Sequence, residues 1–271
     1  MTHVKQKIVR SLLVLALLLP LPVAAEDSQN PEGLELEEQI GEKIPLDLMF
    51  RDENGAEVVL EDFFASQRNP VLIIPSYYNC PRLCPFIFQG VQKAAAETME
   101  KGVEPGRDYT ILSVSFDPRE GPELARENGQ KYREMFGADA EIPDSAWRFL
   151  TGDETNIRAL MDAIGFNYRP DGETDFSHGA FLALIDPAGT VNRYLYGIRY
   201  EERNYRMSLV EASNGRIGGI GEQIFLYCFR YDPQEGRYTP FAWAFMRIGA
   251  ALILITLVAL IFFLRREEKH T

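Results

Sequence analysis

The sequence predicts an α/β domain with a mostly parallel sheet and helices on both of its faces. Three observations carry that prediction. The apolar run Val71–Ile74 has the length of a fully buried strand. Tyr109–Phe116 alternates as a second strand. Three stretches of helical periodicity are each closed by a glycine, at Gly102, Gly137 and Gly165.

The elements follow in order. Leu46–Phe50 and Glu57–Leu60 flank Asn54-Gly55, a hairpin signal. Pro70–Ser76 is the first central strand. From Pro85 a helix is marked by Phe86, Phe88, Val91, Ala94, Ala95 and Met99. The second strand, Tyr109–Phe116, runs into Asp117-Pro118. Pro122–Phe136 reads as an amphipathic helix, Trp147–Leu150 as a short strand, and Asp153–Ile164 as a helix capped by Asp153. Ala180–Ile185 and Val191–Tyr196 flank the turn Asp186-Pro187-Ala188-Gly189 and add an antiparallel edge. A hairpin, then β-α-β-α-β-α, then β-β is a thioredoxin-like plan with a peroxiredoxin-like N-terminal hairpin. Beyond it, Asn204–Ala212 reads as a short helix, and Gln223–Tyr231 with Arg237–Thr239 as one more hairpin.

The two ends differ from this body. Lys5, Lys7 and Arg10 precede the short apolar run Ser11–Leu19, and Val23-Ala24-Ala25 offers small residues before Glu26. Residues 1–25 therefore read as a secretory signal peptide, and residues 26–40 as a flexible leader. Near the other end, Ile248–Leu264 is 17 consecutive uncharged residues, about 25 Å of helix. With Phe241–Met246 it gives a transmembrane helix over 241–264, with Trp243 suited to the headgroup level. Arg265, Arg266 and Lys269 in the tail, 265–271, assign the C-terminus to the cytoplasm by the positive-inside rule. The expected product is a single-pass protein of the cytoplasmic (inner) membrane whose folded part, 41–197 with an extension over 198–240, faces the periplasm.

The chain of 271 residues has 28 basic and 40 acidic side chains. Leaving out the signal, the span and the tail, the exported part keeps 21 and 38, a net charge of −17. That surface excludes nucleic acid as a partner and favours cationic partners or metal ions. Three cysteines, Cys80, Cys84 and Cys228, are too few for a disulfide-stapled scaffold, and their odd number leaves one thiol unpaired within the chain. Cys228, in Leu226-Tyr227-Cys228-Phe229, reads as a buried strand residue, with a third sulfur ligand or a link to a partner as the alternatives.

The informative string is Tyr77-Tyr78-Asn79-Cys80-Pro81-Arg82-Leu83-Cys84-Pro85, set between a buried strand and a helix. Sulfurs four residues apart lie about one helical turn from each other. A helix N-terminus favours thiolate, and Arg82 adds positive charge nearby. Thiolates select soft metals such as Cu(I) or Zn(II). His178, in Asp175-Phe176-Ser177-His178-Gly179, is the single histidine of the exported part, since His3 lies in the signal and His270 in the tail. In the thioredoxin plan its loop approaches the first helix. Two cysteines and a histidine suit three-coordinate Cu(I), or four-coordinate copper or zinc with an added ligand. The same cysteines offer a redox alternative, cycling between dithiol and disulfide, or a local structural bridge. Asp117 is a candidate to orient a ligand or simply an Asp-Pro turn, and Tyr77 and Tyr78 are candidates to shield a metal or to pack.

These motifs resemble those of the Sco/SenC family. The resemblance runs over Leu46–Gly197 and rests on Cys80-Pro-x-x-Cys84-Pro, Ser113-Val114-Ser115-Phe116-Asp117-Pro118, Trp147-Arg148-Phe149-Leu150-Thr151-Gly152, and His178 before Leu184-Ile185-Asp186-Pro187-Ala188-Gly189. It implies that Cys80, Cys84 and His178 bind copper. It further implies delivery of copper to, or reduction of thiols in, the copper-containing subunit of cytochrome c oxidase, with other copper or thiol carriers as further partners. Three departures stand out: Arg82 where many relatives carry an acid, an anchor at the C-terminus rather than the N-terminus, and the long segment after the last core hairpin. A thiol–disulfide oxidoreductase acting on the client's copper-ligand cysteines, and a thiol peroxidase, are the competing expectations.

Overall fold

The computed structural model describes residues 36–65, 69–136, 142–172, 174–214, 217, 226, 229–232, 237–240 and 247–256. A hairpin of β1 (Met49–Arg51) and β2 (Glu57–Val59) comes first. The Asp52 carboxylate shapes its turn by accepting the N–H groups of Asn54 and Ala56, each at 2.9 Å. Gly55 supplies the positive φ of 80° that the Asn-Gly signal anticipates. A single helical turn, α1 (Asp62–Ala65), leads toward β3 (Val71–Ser76).

A five-stranded sheet in the order β5-β4-β3-β8-β9 forms the centre. Here β4 is Thr110–Ser115, β5 Trp147–Leu150, β8 Phe181–Ile185 and β9 Val191–Tyr196. β3–β4 and β4–β5 pair in parallel, whereas β3–β8 and β8–β9 are antiparallel. The sheet is therefore evenly mixed rather than mostly parallel. The closing hairpin docks directly on β3 and makes it the middle strand, so β3 is buried along its whole length, as a near-continuous apolar run requires.

Helix α2 (Cys84–Met99) packs through Cys84, Ile87, Phe88, Val91, Ala94, Ala95 and Thr98, a stripe of helical period. Phe86, expected in that stripe, lies off it and is 56% exposed. Helices α3 (Pro122–Glu134) and α4 (Glu154–Ala163) complete the α/β core, α4 being capped by Asp153, whose carboxylate accepts the Asn156 N–H at 2.9 Å.

A second small hairpin, β6 (Tyr168–Asp171) with β7 (Asp175–His178), was not anticipated. In Tyr168-Arg169-Pro170-Asp171 the proline and two charges break any strand pattern, yet an isolated two-stranded ribbon tolerates proline.

Beyond β9, helix α5 (Glu202–Ala212) buries Tyr205, Leu209, Val210 and Ala212 against the body and packs on α2. A Cβ on Gly90 of α2 would sit 2.2 Å from the Ile198 carbonyl, so only glycine admits the backbone of the segment that leads to α5. The last hairpin is β10 (Phe229–Asp232) with β11 (Arg237–Pro240), and Tyr238 donates its hydroxyl to Glu211 of α5 at 2.7 Å. Residues 36–44, which include the end of the expected leader, are held against β9: Gln39 N–H donates to the Tyr194 hydroxyl at 3.0 Å and Gly41 N–H to the Val191 carbonyl at 2.9 Å.

The expected signal peptide lies outside the described residues, as does Cys228. Of the expected span over 241–264, residues 247–256 are described; they are helical, with Leu252, Ile253, Leu254 and Ile255 at least 60% exposed. Among the described residues no helix is long and apolar enough to cross a membrane.

The β1–β2 turn is pinned to the core by charge. Glu53 meets Arg133 at 3.1 Å and Arg148 at 3.1 Å, and Asp52 meets Arg148 at 2.7 Å, all four side chains being at most 20% exposed. Removing one member leaves partly buried charges uncompensated. Glu53→Ala is expected to cost about 2–3 kcal/mol, read as a lower urea midpoint with an unchanged slope.

Candidate dithiol site

β3 delivers the chain to the site. Its last residue, Ser76, is followed by a tight turn in which Cys80 N–H donates to the Tyr77 carbonyl at 3.3 Å. α2 then begins at Cys84 with Pro85 in its first turn, where a missing N–H costs nothing. The N-cap residue, Leu83, offers no side-chain cap. In its place the Cys80 sulfur accepts the Cys84 N–H at 3.5 Å, so Cys80 lies at the positive end of the helix rather than on it. Both cysteines are reduced and buried, Cys80 at 8% exposure and Cys84 at 1%.

Hydrogen bonding makes the pair unequal. Cys80 is held well below the ordinary thiol range, first by the hydrogen bond from the Cys84 thiol and then by His178 and the backbone N–H groups of Cys84 and Arg82, against the opposing effect of burial. Cys84 is pushed up because it donates to Cys80 and because it is buried. The two effects favour the thiolate on Cys80 and the thiol on Cys84.

His178 is the last residue of β7, half-buried, and not in a plain loop. Its Nδ1 lies 2.8 Å from the Gly179 carbonyl oxygen. A carbonyl can only accept, so Nδ1 carries a proton, and this is the tautomer whose Nε2 lone pair is open to a metal. The ring sits among aromatics, 5.3 Å from Phe116, 5.5 Å from Phe166 and 6.2 Å from Tyr77 between centroids. Cys80 is therefore bound to Cys84 through the Cys84 N–H, and His178 is among the further influences that lower its pKa. The trio is not closed around one point: among the described residues no group of three or more His, Cys, Asp and Glu side chains is already arranged to hold a metal ion.

The other sequence candidates divide. Tyr77 lies beside the site, its ring edge-on to that of His178 at 6.2 Å between centroids. Tyr78 packs instead, its hydroxyl donating to the carbonyls of Ser113 at 2.9 Å and Leu150 at 2.8 Å. Arg82 reaches Cys80 by its backbone N–H; its guanidinium is 71% exposed and pairs with Asp175 of β7 at 3.3 Å. Asp117 turns away from the sulfurs and binds Arg119, accepting Nε and an Nη at 2.7 Å each.

A family model described as SCO1/SenC matches residues 40–209, more than half of the chain. The chain belongs to the SCO1/SenC family. Members of that family act in copper delivery and cytochrome c oxidase assembly. No curated protein matches this SCO1/SenC chain. Among solved structures it is similar to a candidate electron transfer protein of Aquifex aeolicus VF5, at 24% identity and a TM-score of 0.55 over 65% of this chain and 96% of that one. It is similar also to a SCO1/SenC family lipoprotein of Bacillus anthracis, at 18% identity and a TM-score of 0.51 over 66% and 98%. Arabidopsis thaliana ScoI, solved with copper bound, matches at 17% identity and a TM-score of 0.49 over 65% and 98%. At these identities the Aquifex and Bacillus likenesses establish the fold alone. The SCO1/SenC match ends inside α5, so it takes in part of the helix that follows the last core hairpin.

One residue beside this SCO1/SenC dithiol escaped the sequence reading. Glu120 is 8% exposed, and its carboxylate accepts the N–H groups of Tyr78 at 2.7 Å and Asn79 at 2.8 Å and the Ser115 hydroxyl at 2.6 Å. Burial raises its pKa, and those three hydrogen bonds pull it back. In sequence it stands in Pro118-Arg119-Glu120, which looks like any solvated charge after a turn.

Proposed function

We propose that this chain is a membrane-anchored periplasmic copper chaperone that carries copper on Cys80, Cys84 and His178 and assists assembly of the copper centre of cytochrome c oxidase. One observation carries the reading: the Cys80 sulfur accepts the Cys84 N–H at 3.5 Å, while the His178 ring turns Nδ1 to the Gly179 carbonyl and so leaves Nε2 for a metal. Two sulfurs and one imidazole form a soft donor set that suits Cu(I) as cargo. Burial and the aromatic wall keep water from the sulfurs, and the carbonyl of Gly179 fixes the ring's tautomer. The exposed apolar helix at 247–256 supports an anchor over 241–264, with the tail in the cytoplasm and the partner, the copper-containing oxidase subunit, on the periplasmic side.

The unequal cysteines favour a second reading, a thiol–disulfide oxidoreductase that reduces the client's copper-ligand cysteines. A thiolate beside a protonated thiol is the arrangement that exchanges disulfides. The two separate in cells that lack the chain and are complemented with variants, by measuring copper in the oxidase. Cys80→Ser is expected to fail under both readings. His178→Ala is expected to fail for a chaperone, and full copper loading with it would assign the reductase.

A further inference from the structure

Neither copper binding nor thiol exchange assigns a role to Glu120. Burying a carboxylate is unfavourable unless its oxygens are satisfied, and here two of its three donors are the amides directly before Cys80. Those bonds tie the Tyr77–Cys80 turn to the end of β4, since Ser115 donates to the same carboxylate. Around Cys80 the loop is open to solvent: Asn79, Pro81 and Arg82 are exposed. The same short segment also reaches the histidine side. Asp117 holds Arg119, whose guanidinium lies 5.5 Å from the ring centre of Phe176, two residues before His178.

We propose that Glu120 is the positioning residue of the dithiol: its carboxylate fixes the backbone of Tyr78 and Asn79 and so seats the Cys80 sulfur on the N-terminus of α2. This deepens the copper-and-thiol reading of the site and rests on it. The seating favours the reduced pair. When glutathione reduces the Cys80–Cys84 disulfide, the sulfur–sulfur bond breaks and two electrons come from two glutathione thiols, which join as glutathione disulfide. Of the two protons they release, one stays on Cys84 and one goes to solvent, leaving Cys80 as thiolate against the Cys84 N–H. A loosened turn withdraws that amide and shifts the balance toward the disulfide.

The test equilibrates the full chain anaerobically with glutathione buffers, without copper, and then measures Cu(I) affinity by chelator competition. Glu120→Ala is expected to shift the dithiol–disulfide constant at least about tenfold toward disulfide, about 30 mV, and to weaken Cu(I) binding in step. Glu120→Gln keeps the shape and one acceptor oxygen, and is expected to shift the constant about threefold; it carries the test if the alanine variant does not fold. Glu123→Gln, the same charge change at an exposed position of α3, is expected to leave both readouts alone. A folded Glu120→Gln and Glu120→Ala with an unchanged dithiol constant, whatever their melting temperatures, would overturn the proposal. A wild-type chain that binds no copper but still shows the Glu120 dependence would remove the copper reading and uphold the positioning role.

Discussion

Iodoacetamide will modify Cys80 before Cys84, its reaction will stay fast well below the ordinary thiol range near about pH 8.5, and Cys84→Ala will move that inflection upward by about one to two pH units. The size follows from the hydrogen bond that the substitution deletes. The Cys84 thiol is the largest influence lowering Cys80, and a hydrogen bond to a charged group is worth about 1.5–3 kcal/mol, at about 1.4 kcal/mol per pH unit. The sign is fixed by which sulfur accepts. Cys80 is the acceptor, so losing the donor destabilises its thiolate and raises its pKa. Cys84→Ser, whose hydroxyl can still donate, is expected to fall between. Cys84 itself should stay unreactive, being 1% exposed and held protonated by burial and by donation to Cys80. Peptide mapping of the alkylated chain across pH reads all of this directly.

His178→Ala is expected to weaken Cu(I) binding by more than about 100-fold while leaving Cys80 reduced and open to the same reagent. Loss of a residue that merely orients a metal ligand costs about 10–100-fold in affinity, and loss of a ligand should exceed that. The fold should survive, because His178 ends a short hairpin and is half-buried rather than part of the central sheet. Chelator competition gives the affinity, and exogenous imidazole should restore part of it.

Much of the core was legible because burial on two faces leaves a plain signature. Val71–Ile74 can only be a strand covered on both sides, and it is the middle strand of the sheet. Asp153 and Trp147 marked a cap and a strand start to the residue, because both signals are local. What depends on distant packing was not legible. The hairpin Ala180–Tyr196 adds the antiparallel edge expected of it, but nothing in it says that its two antiparallel pairs will equal the parallel ones, and so the even mixture was missed. The cysteines, being the only close pair, marked the site themselves. The placement of Cys80 ahead of the helix, with its sulfur in the cap position, depends on a turn closed by Tyr77 and tied by Glu120. A glutamate 40 residues downstream of Cys80 carries no sign in the sequence that its oxygens will face the amides of that turn. Arg82 was misread for a similar reason: its charge is adjacent in sequence but directed outward to Asp175.

The most direct test is an anaerobic Cu(I) titration of the reduced full chain against a competing chelator, alongside the double variant Cys80→Ser/Cys84→Ser. One chelator-resistant copper per chain, with sulfur and nitrogen neighbours in X-ray absorption and no binding in the double variant, is the expected result. A reduced wild-type chain that retains no copper while its Cys80–Cys84 disulfide forms and breaks readily would contradict the chaperone reading.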